Sequence, residues 1–305
     1  MKYQAMFDIH PGSDFWNHNY YETREGARLH YVRTGRGIPV VLLHGWPGFW
    51  YDWRHVIPVI AKEVEVIAPD LLGFGYSAKP NSPNSELYEP DAQAARILEL
   101  LDELEFDRFV AVGYDIGARV AQSLARMVPG RVRSLILGNP AYPGIGDRRF
   151  SYPAQKEFWY QHFHNISGIE NLVGYNRDTV RLYLGYFYQH WSGRKDKVRE
   201  QEFEGIVDVY SQPDAFGASI GWYRSGAGTG LASKLNQDGL ASPMLPIVQP
   251  TYILWGELDP IFPKEWSDHL TAFFPQVNIK YLPDVGHFIP FEAPEEMIET
   301  IKNVI

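Results

Sequence analysis

The chain has 305 residues, 45% hydrophobic and 21% charged, which suits one large globular domain or a domain carrying a sizeable insertion. Its formal net charge of −9 argues against a nucleic acid or an anionic membrane as partner, because both require a positive footprint. The absence of cysteine excludes disulfides, thiol catalysis and cysteine-built zinc sites.

The N-terminal stretch MKYQAMFDIHPGSDFW has no apolar core of signal-peptide length, and no later run approaches a membrane span, so a cytoplasmic protein is expected. ARLHYVR (27–33) alternates like a half-exposed strand, and GRG follows as a turn. Short apolar runs of buried-strand type come next: IPVVLLH (38–44), VEVIAP (64–69), RFVAVG (108–113) and VRSLILGN (132–139). Helical patterns separate them. Ala94, Ile97, Leu98, Leu101 and Leu104 share one helix face, and Ile116, Val120, Leu124 and Met127 share another before Pro129-Gly130 stops that helix. Strands alternating with helices predict an α/β fold with a parallel sheet covered on both faces.

The alternation breaks near 140. From there to about 235 the pattern is helical and rich in tryptophan and tyrosine, with nine of the nineteen tyrosines and no clear strand. SGAGTGLASKLNQDGLASPMLP (225–246) reads as a short helix or loop leading back to the sheet. Strand and helix patterns resume with PTYILWG (250–256), VNIKYLP (277–283) and a terminal helix PEEMIETIKNVI (294–305). The expected organisation is a core of residues 1–139 and 236–305, interrupted by a helical cap over 140–235. An insertion at the C-terminal end of a strand lies over the edge where such sheets bind ligands.

GYDIGAR (113–119) ends a buried-type strand and opens a helix, with the outline of a G-x-S-x-G nucleophile elbow. Aspartate stands at the serine position, as Asp115. A lone aspartate in such a turn usually caps the helix. Here, however, an acid and a histidine follow at later strand ends: Asp259 in ILWGELDP (253–260) and His287 in LPDVGHF (282–288). That chain order is the α/β-hydrolase arrangement. Glu257 and Asp284 compete with Asp259, but Asp284 is only three residues from His287 and poorly placed to aim at its ring. HGWPG (44–48), directly after a strand, matches the second contributor to an oxyanion hole, which makes the amides of Trp46 and Ile116 its donors. A cis Trp46-Pro47 bond would suit this turn. PDLLGFGYS (69–77) is assigned structural work only.

A carboxylate at the elbow implies particular chemistry. An aspartate of ordinary pKa, about 3.9, is ionised at pH 7 without help from a base. It attacks ester and amide carbonyls poorly, since the mixed anhydride formed is high in energy. Displacement at an sp³ carbon gives a stable alkyl ester, whose carbonyl histidine-activated water can then attack. Epoxides and alkyl halides are the substrates this selects.

HGWPGFWYDWR, PDLLGFGYS, GYDIGAR, WGELDP and GHF together resemble the α/β-hydrolase-fold epoxide hydrolases and their haloalkane and fluoroacetate dehalogenase relatives, from about residue 25 onward. The resemblance implies a mostly parallel sheet flanked by helices, an inserted helical cap, and two cap tyrosines that donate to the epoxide oxygen. By their contexts, WYQHF (159–163) and GWYR (221–224), these are Tyr160 and Tyr223, with Tyr152, Tyr183, Tyr186, Tyr188 and Tyr210 as substitutes. Haloalkane dehalogenases usually carry asparagine where this chain has Trp46, or tryptophan where it has Ile116. The fluoroacetate branch puts arginine directly after the nucleophile, and of its arginine pattern only Arg119 remains. Epoxide opening therefore leads, dehalogenation is the alternative, and a non-catalytic ligand-binding role comes last because the triad is complete. The expected pocket is lined by His44, Phe49, Trp50, Trp159, Trp222 and Phe288. It would take an apolar epoxide with water as cosubstrate, in a monomer or homodimer needing no metal or organic cofactor.

Overall fold

A computed structural model describes residues 9–80, 85–226 and 245–305. Eight strands form one sheet: β1 (His18–Glu22), β2 (Arg28–Gly35), β3 (Pro39–Leu43), β4 (Glu65–Pro69), β5 (Phe109–Tyr114), β6 (Val132–Gly138), β7 (Thr251–Gly256) and β8 (Val277–Leu282). Their order across the sheet is β1-β2-β4-β3-β5-β6-β7-β8. The β1–β2 and β2–β4 pairs are antiparallel and all the others parallel. Central β5 is buried along its whole length, the state its unbroken apolar run requires. β1 has no counterpart in the sequence reading. Its HNYYE carries no alternating pattern, and the strand exists through its pairing with β2.

The helix Pro90–Glu103 buries Ala94, Ile97, Leu98 and Leu101 and ends before Leu104, which becomes its C-cap. The helix Asp115–Met127 buries Ile116, Val120 and Leu124, whereas Met127 closes the last turn 43% exposed, so the apolar face stops one turn earlier than its periodicity suggests. This helix lies very close to the sheet. A Cβ on Gly117 would stand 2.2 Å from the Leu43 carbonyl oxygen, and one on Gly113 would stand 2.5 Å from that of Gly117. Only glycine fits either position.

Between β6 and β7 the described residues form helices and no strand, the longest being Arg177–Trp191 and Glu200–Tyr210. Arg177–Trp191 begins with a capping box in which Asn176 accepts the Thr179 amide while Thr179 Oγ1 accepts the Asn176 amide. The segment 225–246 and the expected boundary at 235/236 fall mostly or wholly in 227–244, outside the described residues. The C-terminal helix, Pro294–Lys302, is three residues shorter than its sequence pattern.

These helices are bonded to the loops at the C-terminal ends of the strands. The Tyr188 hydroxyl donates to Pro47 O (2.7 Å), and that of Tyr210 accepts Gly48 N–H (2.9 Å) and donates to Gly48 O (3.0 Å). The Trp46 indole donates to Ser219 Oγ at 3.3 Å, and the His287 amide donates to Trp191 O at 2.8 Å. Among the described residues, no helix is long and apolar enough to cross a membrane.

Candidate active site

β5 ends at Tyr114, and the chain turns into a helix at Asp115 with φ 50°. That left-handed conformation is uncommon for a residue with a side chain, and here it lifts the carboxylate above the sheet edge. Asp115 does not cap the helix by hydrogen bond; its Oδ1 instead accepts the Trp46 amide at 2.7 Å. Trp46 lies in the loop after β3, and the Trp46-Pro47 peptide is cis, as its sequence suggested. The Ile116 amide belongs to the first turn of the helix, whose N–H groups have no partner within the helix. Both expected oxyanion donors therefore border the carboxylate.

Asp259 follows β7. Its Oδ1 accepts the amides of Ile261 (2.9 Å) and Phe262 (3.2 Å), which leaves Oδ2 to meet His287 Nδ1 at 2.7 Å. On the other side of the ring, His287 Nε2 approaches Asp115 Oδ2 to 3.4 Å, an electrostatic approach rather than a made hydrogen bond. Burial disfavours a charged imidazole, but Asp259 first and Asp115 second outweigh it and raise His287 to about 10. Glu292 fixes the loop that carries the histidine: its buried carboxylate accepts the amides of Gly193, Arg194, Gly286 and Phe288. Asn139, just past β6, joins that loop to β7 through Gly286 O and the Gly256 amide. The competing acids point elsewhere, Glu257 to Lys264 and Asp284 to Arg194.

Tyr160 and Tyr223 come from the short helices Trp159–His164 and Gly221–Arg224. Their ring centroids are 5.4 Å apart and nearly perpendicular. Both pack on the Trp46 indole, Tyr160 parallel to it at 5.5 Å and Tyr223 edge-on at 5.4 Å. One tryptophan thus gives its amide to the carboxylate and its ring to both phenols. Burial, then the nearby Asp115 charge, pushes the Tyr160 hydroxyl up, and burial and Tyr160 do the same to Tyr223. Both are neutral O–H donors at physiological pH. The substitute tyrosines are engaged elsewhere. Tyr183 bonds His164, Tyr188 and Tyr210 hold the Pro47-Gly48 loop, Tyr186 packs on His190, and Tyr152 is exposed.

Of the residues expected to line a pocket, His44 and Trp50 are engaged elsewhere. His44 spends both ring nitrogens on backbone, Nδ1 on Gly45 O and Nε2 on the Leu71 amide, so no polar edge remains for a ligand. Trp50 packs on Trp16 and His18 and gives its amide to Asp70. Phe49 packs on Trp50, Tyr51 and Tyr76. Trp159 lies one ring behind, stacked on Phe187. Phe288 supports His287 edge-on, and Trp222 stands beneath the Arg119 guanidinium at 5.9 Å. The rings that do surround the site include Phe187 and Trp191, both against Trp46 and Tyr160, with Trp191 also 5.1 Å from His287. Sequence reasoning passed over both, although their i, i+4 spacing on one helix puts them on a common face.

It also passed over Asp52, an acid inside the aromatic run FWYDW. Asp52 is fully buried against Gly48 of the loop after β3 and accepts the Tyr114 hydroxyl at 2.6 Å. Burial raises its pKa from 3.8 to about 7, against the pull of Tyr114 and Arg54. A carboxyl that holds its proton more tightly folded than unfolded stabilises the fold fully at low pH, and that contribution fades between about 4 and 7. Asp52→Asn, which keeps an acceptor for Tyr114, should therefore melt above the parent at pH 8 and level with it at pH 4 by calorimetry. An equal gap at both pH values would contradict this assignment.

The loop 69–77 has a structural task. Asp70 accepts His30 Nδ1 and the amides of Trp50 and Tyr76, and a Cβ on Gly75 would stand 2.1 Å from Asp70 Oδ2.

Comparison with known proteins agrees with this architecture. Residues 38–294 match the family described as alpha/beta hydrolase fold. The chain is 32% identical over 282 residues to the soluble epoxide hydrolase of Corynebacterium sp. (strain C12), covering 90% of this chain and 92% of that protein. It is 27% identical over 293 residues to haloalkane dehalogenase 2 of Mycobacterium bovis, covering 90% of each. The solved structure of epoxide hydrolase CorEH without ligand superposes with a TM-score of 0.79 at 26% identity, covering 94% of this chain and 97% of that one.

Proposed function

The chain belongs to the alpha/beta hydrolase fold family, and on that premise we propose that this hydrolase converts an apolar epoxide to a vicinal diol through a covalent ester on Asp115. The observation that carries the reading is the convergence of two neutral phenols, Tyr160 and Tyr223, on the residue whose amide holds the Asp115 carboxylate. An epoxide oxygen stays attached to the substrate while its ring opens, so it needs O–H donors that can surrender a proton.

The reaction runs in two steps. Asp115 attacks a ring carbon, the C–O bond breaks, and the oxygen takes its proton from a tyrosine, leaving a hydroxyalkyl ester and a phenolate. Before attack, His287 is a cation between two carboxylates. Esterification removes one of those charges, which lowers the His287 pKa; its Nε2 proton then passes by way of water to the phenolate, restoring the phenol and freeing Nε2 to act as a base. His287, aimed by Asp259, then deprotonates water, which adds to the ester carbonyl. The amides of Trp46 and Ile116 hold the oxyanion. Collapse breaks the acyl–oxygen bond, the departing alkoxide takes the proton of the new Asp115 carboxyl to give the diol, and the proton taken from water leaves His287 a cation again.

Halide release would call for N–H donors instead. The Trp46 indole N–H is already given to Ser219 Oγ. The test is diol formation from a panel of aryl and alkyl epoxides, with halide release from fluoroacetate and a chloroalkane measured in parallel. Diol without halide is expected. Tyr160→Phe or Tyr223→Phe should each slow diol formation about tenfold to a hundredfold, and the double variant should nearly stop it. Halide without diol would replace this reading with dehalogenation, and neither product would favour a ligand-binding role.

A further inference from the structure

We infer that Gln161, oriented by Arg149, is a positioning residue that keeps the Tyr160 hydroxyl turned to donate into the active site; this rests on the epoxide-opening reading above. Gln161 follows Tyr160 in the helix Trp159–His164 and is 5% exposed. Its Nε2 donates to the Tyr160 hydroxyl oxygen at 3.3 Å, and its Oε1 accepts from Arg149 Nη2 at 3.4 Å. Arg149 comes from the 3-10 stretch Pro143–Phe150 that follows β6.

The direction of these bonds matters more than their length. A glutamine amide can be turned either way, offering oxygen or nitrogen to the phenol. A guanidinium has only donors, so Arg149 requires that Gln161 face it with oxygen and present NH₂ to Tyr160. The phenol oxygen then accepts from Gln161, and its own hydrogen must point elsewhere. With the amide reversed, Gln161 Oε1 would capture the phenol proton and withdraw Tyr160 from the reaction. Hydrogen bonds in such a chain also polarise one another, which makes Tyr160 the stronger donor. The electrostatics agree: burial and Asp115 push the Tyr160 hydroxyl up, while Gln161, Arg149 and Tyr223 draw it back. Once the proton has left, the same N–H and the guanidinium charge face the phenolate.

The experiment separates the two chemical steps. In a His287→Gln background, the rate at which Asp115 gains the mass of a styrene oxide adduct reports alkylation alone. With His287 intact, rapid quench reports hydrolysis of the ester. Gln161→Leu should slow alkylation about tenfold, the worth of one hydrogen bond. Gln161→Glu, which offers the phenol only acceptors, should slow it as much as Tyr160→Phe does. Ester hydrolysis should stay within about twofold in both variants, and Arg149→Lys, which keeps a donor and the charge, should lose less than Arg149→Met. Alkylation at the parent rate in Gln161→Glu, beside a slow Tyr160→Phe, would overturn this inference alone. Equal slowing of both steps would also overturn it, since that is the mark of a disturbed fold. A Tyr160→Phe variant that alkylates at the parent rate would instead remove the functional reading and this inference with it.

Discussion

Asp115→Asn is expected to lower kcat/KM for epoxide hydrolysis by about four orders of magnitude or more, with the fold unchanged. Asparagine is the informative replacement because of the backbone. Asp115 sits at φ 50°, a conformation that asparagine tolerates and alanine resists. The amide keeps an oxygen for the Trp46 N–H and removes only the anionic nucleophile. Loss of activity with a parent-like circular dichroism spectrum would assign the chemistry to the carboxylate. Diol formation at even a hundredth of the parent rate would mean that water attacks the epoxide directly and that no ester on Asp115 is required.

His287→Gln should produce a different failure. Ring opening needs the carboxylate and the phenols, so the variant should consume one equivalent of epoxide. Ester hydrolysis needs a base at Nε2, so steady-state turnover should fall about a thousandfold. Intact-mass spectrometry should find the protein heavier by one epoxide, and peptide mapping should place the added mass on GYDIGAR. The variant also removes the cation between Asp115 and Asp259, leaving two carboxylates near a neutral amide. In the parent, a His287 pKa raised from 6.5 to about 10 stabilises the fold fully below about 6.5, and that stabilisation is lost as pH rises toward 10. Full turnover by the variant, or failure to accumulate an adduct, would rule out the two-step scheme.

The core strands and the order of acid, acid and histidine were legible because they rest on local signals: apolar runs of strand length, and motifs at strand ends. β1 was not, since HNYYE has no pattern of its own and becomes a strand by lying against β2. Asp115, Asp259 and His287 are brought together by the sheet edge, so naming the strands was enough to group them. The aromatic surroundings depend on which face of each short helix turns inward, and composition does not encode that. His44 and Trp50 looked available because they flank the oxyanion motif. Yet a histidine whose two nitrogens meet backbone groups far apart in sequence cannot be told from a pocket residue without coordinates. Gln161 was hidden for a related reason: its meaning lies in the partner that orients it, twelve residues away.

One feature of the elbow bears on how such enzymes diversify. The turn is shaped by Gly113 and Gly117, each pressed so close to backbone that a methyl group would collide. Of the three residues between them, the middle one, Asp115, turns at φ 50° and presents its side chain above the sheet edge. On the proposed reading, the close fit is written at the two glycines and the reaction class at position 115, so the side chain at 115 can change where the glycines cannot. On that reading, a lineage could exchange one nucleophile for another at position 115 while inheriting the same presentation of it, the fold acting as a fixed socket into which different chemistries are fitted over evolutionary time.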